Sequence, residues 1–157
     1  MEMLNLLSQL NLDKFELTFA VANTDKLSRI KALEKYPEAK VEIIPRSREV
    51  GQSYLTSVWT TLVSAVICYK ILLKMAHIDL ILCNGPGTCV PLCLGAWFND
   101  TFLNRGRTKI VFVESVCRVK TLSLTGKILS WFTNEILVQW PELKEKYPHT
   151  KFVARFI

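Results

Sequence analysis

The sequence predicts an α/β fold built on a parallel sheet. Short apolar strand patterns alternate with helical patterns along the whole chain, the order that parallel sheets with crossover helices require. Asp79–Cys83 (DLILC) is apolar on both faces, as expected of a strand covered on both sides. It is followed at once by Asn84-Gly85-Pro86-Gly87-Thr88, a constrained loop at the carboxyl end of a strand, where parallel sheets carry their ligand sites. At 157 residues and 18.0 kDa the chain is expected to form one domain spanning 1–157.

Glu2–Leu10 reads as a helix, since it lacks the basic start and cleavage site of a signal peptide. Glu16–Val21 is a strand, and Thr24–Leu33 a helix capped by Asn23 or Thr24. Val41–Ile44 is the next strand and Pro45 ends it. A polar loop, RSREVGQS, leads through Ser53, a plausible cap, into a long helix ending near Lys74. The apolar run in that helix, Val58–Leu73, is shorter than the ~20 residues of a membrane span and is interrupted by Lys70. Its Tyr54, Trp59, Lys70 and Lys74 fit either a helix packed on a sheet or one lying at headgroup level. After the strand Asp79–Cys83 and its glycine loop, a helix runs from Val90 to Phe98. Ile110–Val113 is a strand, Leu122–Phe132 a helix and Glu135–Gln139 a strand. PELKEKYP is a short solvated helix, and FVARFI a terminal strand or tail.

The formal net charge of +6 and pI near 9.1 favour anionic partners. Basic runs interleaved with aromatics are missing, so no nucleic-acid partner is expected; a basic α/β nucleic-acid-binding domain or a stand-alone sugar-nucleotide enzyme is the alternative function. Five cysteines, an odd number without a C-x-x-C pair, mostly lie in apolar runs and read as free thiols; no metal and no cofactor are expected.

Gly85 and Gly87 let a ligand approach the main chain, and Asn84, Gly85, Gly87 and Thr88 form a loop able to turn N–H groups to phosphate; a plain strand-to-helix turn uses the same residues. Glu114 follows the strand Ile110–Val113 where a carboxylate can reach a sugar hydroxyl or draw its proton, and Ser115 stands beside it. Capping of the next turn, or pairing with Arg118, is the structural alternative. Arg46 and Arg48 after one strand, and Arg118 after another, match the oxygens of a diphosphate. The tail closes on Phe152, Val153, Phe156 and Ile157, an apolar set expected to be buried against its own domain or a partner.

IPRSREVGQS, DLILCNGPGTCVPLC, VFVESVCRVKTLSLTGKIL, LVQWPELKEKYP and ARFI, in that order, resemble the asparagine-linked-glycosylation protein fourteen family. That resemblance implies a Rossmann-like amino-terminal half of a GT-B glycosyltransferase carried on its own chain, and related to the bacterial enzyme that adds GlcNAc to the lipid-linked cell-wall precursor. It implies a subunit inactive alone that recruits a catalytic, donor-binding partner to the cytosolic face of the endoplasmic reticulum membrane. The pair would add the second GlcNAc, from UDP-N-acetylglucosamine, to a dolichol-linked acceptor. The carboxyl end would dock the partner, and Glu114 would lie in the stretch where the bacterial relative also has a Glu. Family members carry a hydrophobic anchor, a first strand and a Gly-Ser-Gly-Gly-His-Thr loop ahead of the Glu-Met-Leu helix, with which Met1-Glu2-Met3-Leu4 aligns. Without that first, central strand, two of its neighbours are expected to lack their usual pairing.

Overall fold

The computed structural model describes residues 2–46, 54–75, 77–85, 87–102 and 108–153, with the backbone alone for 54–59. The elements in order are α1 (Glu2–Leu7), β1 (Thr18–Ala22), α2 (Lys26–Lys35), β2 (Lys40–Ile44), α3 (Tyr54–Lys74), β3 (Leu80–Asn84), α4 (Cys89–Phe102), β4 (Lys109–Val113), α5 (Leu124–Leu129), β5 (Glu135–Val138), α6 (Pro141–Lys146) and β6 (Lys151–Phe152). Every strand pair is parallel, as the alternating pattern requires.

The strands fall into a β1-β2 pair and a four-stranded sheet in the order β3-β4-β5-β6. Among the described residues no ladder joins β1 to β3, so each has a hydrogen-bonded neighbour on one side only. β3 also departs from the fully covered strand suggested by DLILC. Ile81 and Cys83 are buried, but Leu80 is exposed, because it begins an edge strand.

The core lies where α4 and α5 cover the larger sheet. Ile81, Cys83, Ile110, Phe112, Ile136 and Val138 alternate along three strands and meet Val90, Cys93 and Ala96 of α4 and Leu129 of α5. This is the period of two that turns alternate residues to one face of a sheet. Leu72 of α3 joins the cluster, as α3 packs along α4. The other side of α3 leaves Leu62, Val63, Val66 and Ile67 exposed.

The helix starts follow from local hydrogen bonding. Asp25, rather than Asn23 or Thr24, caps α2: its Oδ1 accepts the Ser28 N–H at 3.1 Å, three residues on, where the first turn has a free donor. Ser123 caps α5, accepting the Gly126 N–H at 2.9 Å, and Pro141 opens α6 at a position whose N–H has no helical acceptor. The chain enters β6 through a fastened turn. Thr150 is fully buried and donates to the Tyr147 carbonyl, while Lys144 donates to the carbonyls of Pro148 and Thr150.

Candidate functional site

Parallel register levels the carboxyl ends of β3, β4 and β5. Asn84 lies opposite Val113, and Val113 opposite Leu137. The loops leaving these strands therefore meet at one edge, and they carry Asn84, Glu114, Ser115, Gln139 and Trp140.

The loop after β4 is braced from two sides. Gln139 Nε2 donates to the Glu114 carbonyl at 3.1 Å, and Trp140 Nε1 donates to the Val116 carbonyl at 2.7 Å. A turn closes between Ser115 and Arg118, whose N–H donates to the Ser115 carbonyl at 3.0 Å. Glu114 itself is 1% exposed. Its Oε2 accepts the Ser123 N–H at 2.8 Å and its Oε1 the Ser115 N–H at 3.1 Å, so both carboxylate oxygens are satisfied by main-chain donors of its own loop and the start of α5. This is the turn-capping arrangement, and it meets the need of a buried carboxylate for N–H partners.

The strand ends are joined by a residue that sequence reasoning passed over. Glu2, at the start of α1, reaches both loops. Its Oε2 accepts from Asn84 Nδ2 at 3.0 Å, and its Oε1 from Ser115 Oγ at 3.1 Å and from the Val116 N–H at 3.2 Å. Asn84 Nδ2 donates in addition to the Val113 carbonyl at 3.3 Å. No local pattern signals Glu2, because its partners Asn84 and Ser115 lie 82 and 113 residues away in the chain.

The remaining candidates are distributed as follows. Gly85 has φ +83°, a left-handed conformation that glycine adopts without strain. Gly87 is exposed and Thr88 buried just before α4, while Pro86 lies outside the described residues. Arg118 is exposed on the braced loop. Arg46 is exposed beyond β2, on the two-stranded sheet, and Arg48 lies outside the described residues. At the tail, Phe152 is 47% exposed and Val153 half-buried; Phe156 and Ile157 lie outside the described residues. Asn84, Glu114, Ser115 and Arg118 thus share one edge. The strand register and the short turn after β4 place them there.

Such a sheet edge, formed by parallel strands joined through helices, marks the class as a Rossmann-like α/β domain. The fold superposes on the crystal structure of Acinetobacter baumannii MurG with a TM-score of 0.68, covering 98% of this chain and 41% of that one at 13% sequence identity. The family model described as "Oligosaccharide biosynthesis protein Alg14 like" matches residues 1–156, and the chain belongs to that family. It is 43% identical over 152 residues to the UDP-N-acetylglucosamine transferase subunit ALG14 of Mus musculus, covering 88% of this chain and 69% of that protein. The Homo sapiens subunit of the same name is 40% identical over 168 residues, covering 99% and 77%, and that of Yarrowia lipolytica 42% identical over 160 residues, covering 96% and 73%.

Proposed function

We propose that this chain is the acceptor-side subunit of a two-chain UDP-N-acetylglucosamine transferase, inactive alone, that presents a dolichol-linked GlcNAc diphosphate to a catalytic, donor-binding partner. The observation that carries the reading is the convergence of Asn84, Ser115 and Glu2 at the carboxyl edge of the larger sheet, in a chain whose relatives are named as UDP-N-acetylglucosamine transferase subunits. The acceptor's sugar lies at this edge, within reach of the braced loop. Its diphosphate meets Gly85, Gly87 and Thr88 ahead of α4, together with Arg118. Glu114 serves the site by fixing the loop that carries Ser115, since both its oxygens are engaged there.

Location on the cytosolic face of the endoplasmic reticulum membrane is part of the same reading. Among the described residues no helix is long and apolar enough to cross a membrane. Support for surface contact comes from α3, where Leu62, Val63, Val66 and Ile67 form an exposed apolar stripe with exposed Lys70 and Lys74 toward its end. Phe98 and Phe102 of α4, stacked with centroids 4.7 Å apart, are exposed as well. An apolar stripe flanked by lysines suits the headgroup boundary of an anionic bilayer.

The test is reconstitution of this chain with its catalytic partner on liposomes carrying lipid-diphosphate-linked GlcNAc, with labelled UDP-GlcNAc as donor. The expected result is a lipid-linked disaccharide from the pair and none from either chain alone. Transfer by this chain alone, or no transfer by a pair that assembles, overturns the reading.

A further inference from the structure

The Asn84 amide has one allowed orientation. Both groups it faces on one side, the Glu2 carboxylate and the Val113 carbonyl, are acceptors only, so the nitrogen must point to them and its two hydrogens are both used. Its oxygen, Oδ1, has no partner among the described residues. Ser115 is constrained in the same sense. Its single hydrogen goes to Glu2, and its oxygen accepts the Cys117 N–H at 3.4 Å, which leaves one lone pair and no donor.

We propose that Glu2 is a positioning residue that makes the Asn84–Ser115 edge an acceptor-only surface, so that Asn84 Oδ1 receives an O–H or acetamide N–H of the acceptor's sugar and takes no part in holding its diphosphate. This rests on the transferase reading for the identity of the ligand, but the orientation follows from hydrogen-bond chemistry alone. A phosphate oxygen has no hydrogen to give, and here it meets oxygen lone pairs and the Glu2 carboxylate; a sugar hydroxyl or acetamide N–H donates to them.

The effect of Glu2→Gln follows from the same geometry. Main-chain Val116 N–H cannot turn, so the introduced amide must offer its oxygen to Val116 and Ser115 and direct its NH2 at Asn84. Two NH2 groups cannot face each other, and Asn84 has to flip, withdrawing Oδ1 from the ligand. Glu2→Asp keeps an acceptor-only group and therefore the orientation.

Two measurements in the complex with the catalytic partner test this. In the first, the side-chain amide resonance of Asn84 is followed with isotopically labelled chain. Glu2→Gln should move it and Glu2→Asp should leave it near its original place; millimolar methyl N-acetylglucosaminide should shift it in the unsubstituted chain, and inorganic diphosphate should not. In the second, Glu2→Gln should raise the KM for lipid-linked acceptor about tenfold, the scale of one lost hydrogen bond to a polar group, with the KM for UDP-GlcNAc unchanged and Glu2→Asp close to the original. An Asn84 resonance that responds to diphosphate, that responds to neither probe, or that ignores Glu2→Gln overturns the proposal, as does an acceptor KM that does not move. Failure of the transferase reading is a separate result: the unsubstituted pair then transfers no sugar, whatever Asn84 does.

Discussion

Gly126 and Glu114 are in such close apposition that a β-carbon at Gly126 would lie 2.6 Å from Glu114 Oε2. That β-carbon would also lie 3.2 Å from Phe112 Cε1. In most helices glycine is weaker than alanine by ~0.5–1 kcal/mol, so Gly126→Ala would ordinarily stabilise α5. Here the new methyl would have to displace a buried carboxylate that is held by two N–H groups. The expected net effect is destabilisation by about 1–3 kcal/mol, the usual cost of overfilling a packed site. Gly95→Ala is the comparison, because the near atom there is the end of the flexible Leu72 side chain. Thermal melting of both variants checks this; a Gly126→Ala chain as stable as Gly95→Ala contradicts it.

Glu114→Gln tests the same contact from the other side. Of the two introduced amide positions only the oxygen can accept, so either Ser115 N–H or Ser123 N–H faces an NH2 group in place of an acceptor. Leaving one buried donor unsatisfied costs about 1–3 kcal/mol. Loss of stability and of transfer should run in parallel across Glu114→Gln and Glu114→Asp if the residue acts through its loop. A variant that keeps its melting temperature but loses more than about a hundredfold in kcat would instead place Glu114 at the reacting atoms.

At Gly85 the space for a β-carbon is open, and only the backbone objects. Gly85→Ala should therefore cost about 1–2 kcal/mol through the left-handed φ of +83°, and Gly85→Asn distinctly less, since asparagine tolerates that region. Equal melting temperatures for the two variants would show that the conformation is not what the loop requires.

Much of the fold was legible because its signals are local. The short apolar run Ile110–Val113, the Pro45 stop and the Asn-Gly-Pro-Gly break each act within a few residues, and the first five strands fell within two residues of where they are observed. The Asp25 cap was misplaced by one or two residues, because Asn23, Thr24 and Asp25 all have capping side chains and only the Ser28 contact separates them. What sequence did not disclose was long-range. Glu2 meets Asn84 and Ser115 across 82 and 113 residues. Glu114 read as a candidate for the acceptor, and nothing near it in sequence revealed that Ser123 N–H and Gly126 would close over its carboxylate. Both depend on where α1 and α5 come to rest, which no local period encodes.

Thiol labelling separates the five cysteines. Cys117 alone among them is exposed. Burial removes Cys68 from solvent and pushes its thiol up to about 11, and Cys89 is driven well above the ordinary range by its hydrogen bond to Cys83 and by burial. Cys83 and Cys93 are buried with their sulfurs 3.3 Å apart. Because the thiolate is the nucleophile, iodoacetamide at pH 8 should modify Cys117 rapidly and the other four only after denaturation. Peptide mass spectrometry gives the order, and rapid native labelling of Cys68 or Cys93 would show that the α3–α4 packing is wrong.

The tail combines a pinned strand with an exposed aromatic. Val153 N–H donates to the Val138 carbonyl at 2.9 Å, and Lys151 Nζ meets Glu135 Oε1 at 2.7 Å, so β6 is tied to β5 by main chain and side chain. Phe152 nevertheless stays 47% exposed, which leaves an apolar group free to be covered by the catalytic partner. Removing residues 154–157 should weaken pairing with that partner by tenfold or more if Phe156 and Ile157 are buried there, at about 1.5–3 kcal/mol for each large side chain. The domain's melting temperature should hardly change, because the pinned part of β6 remains. Acid gives a second handle. The hydrogen bond from Lys151 holds the Glu135 carboxyl below its ordinary 4.5, so the pair's contribution is fully present above that value and is lost as pH falls through the lower folded-state one. For so exposed a pair the contribution is about 0.5 kcal/mol or less. Pairing measured at pH 7 for Lys151→Ala should therefore resemble the original chain, while truncation at 154 should not. Full pairing after truncation would take the interface away from the tail, and lost pairing with a collapsed melting temperature would make the tail a strap on the domain's own core.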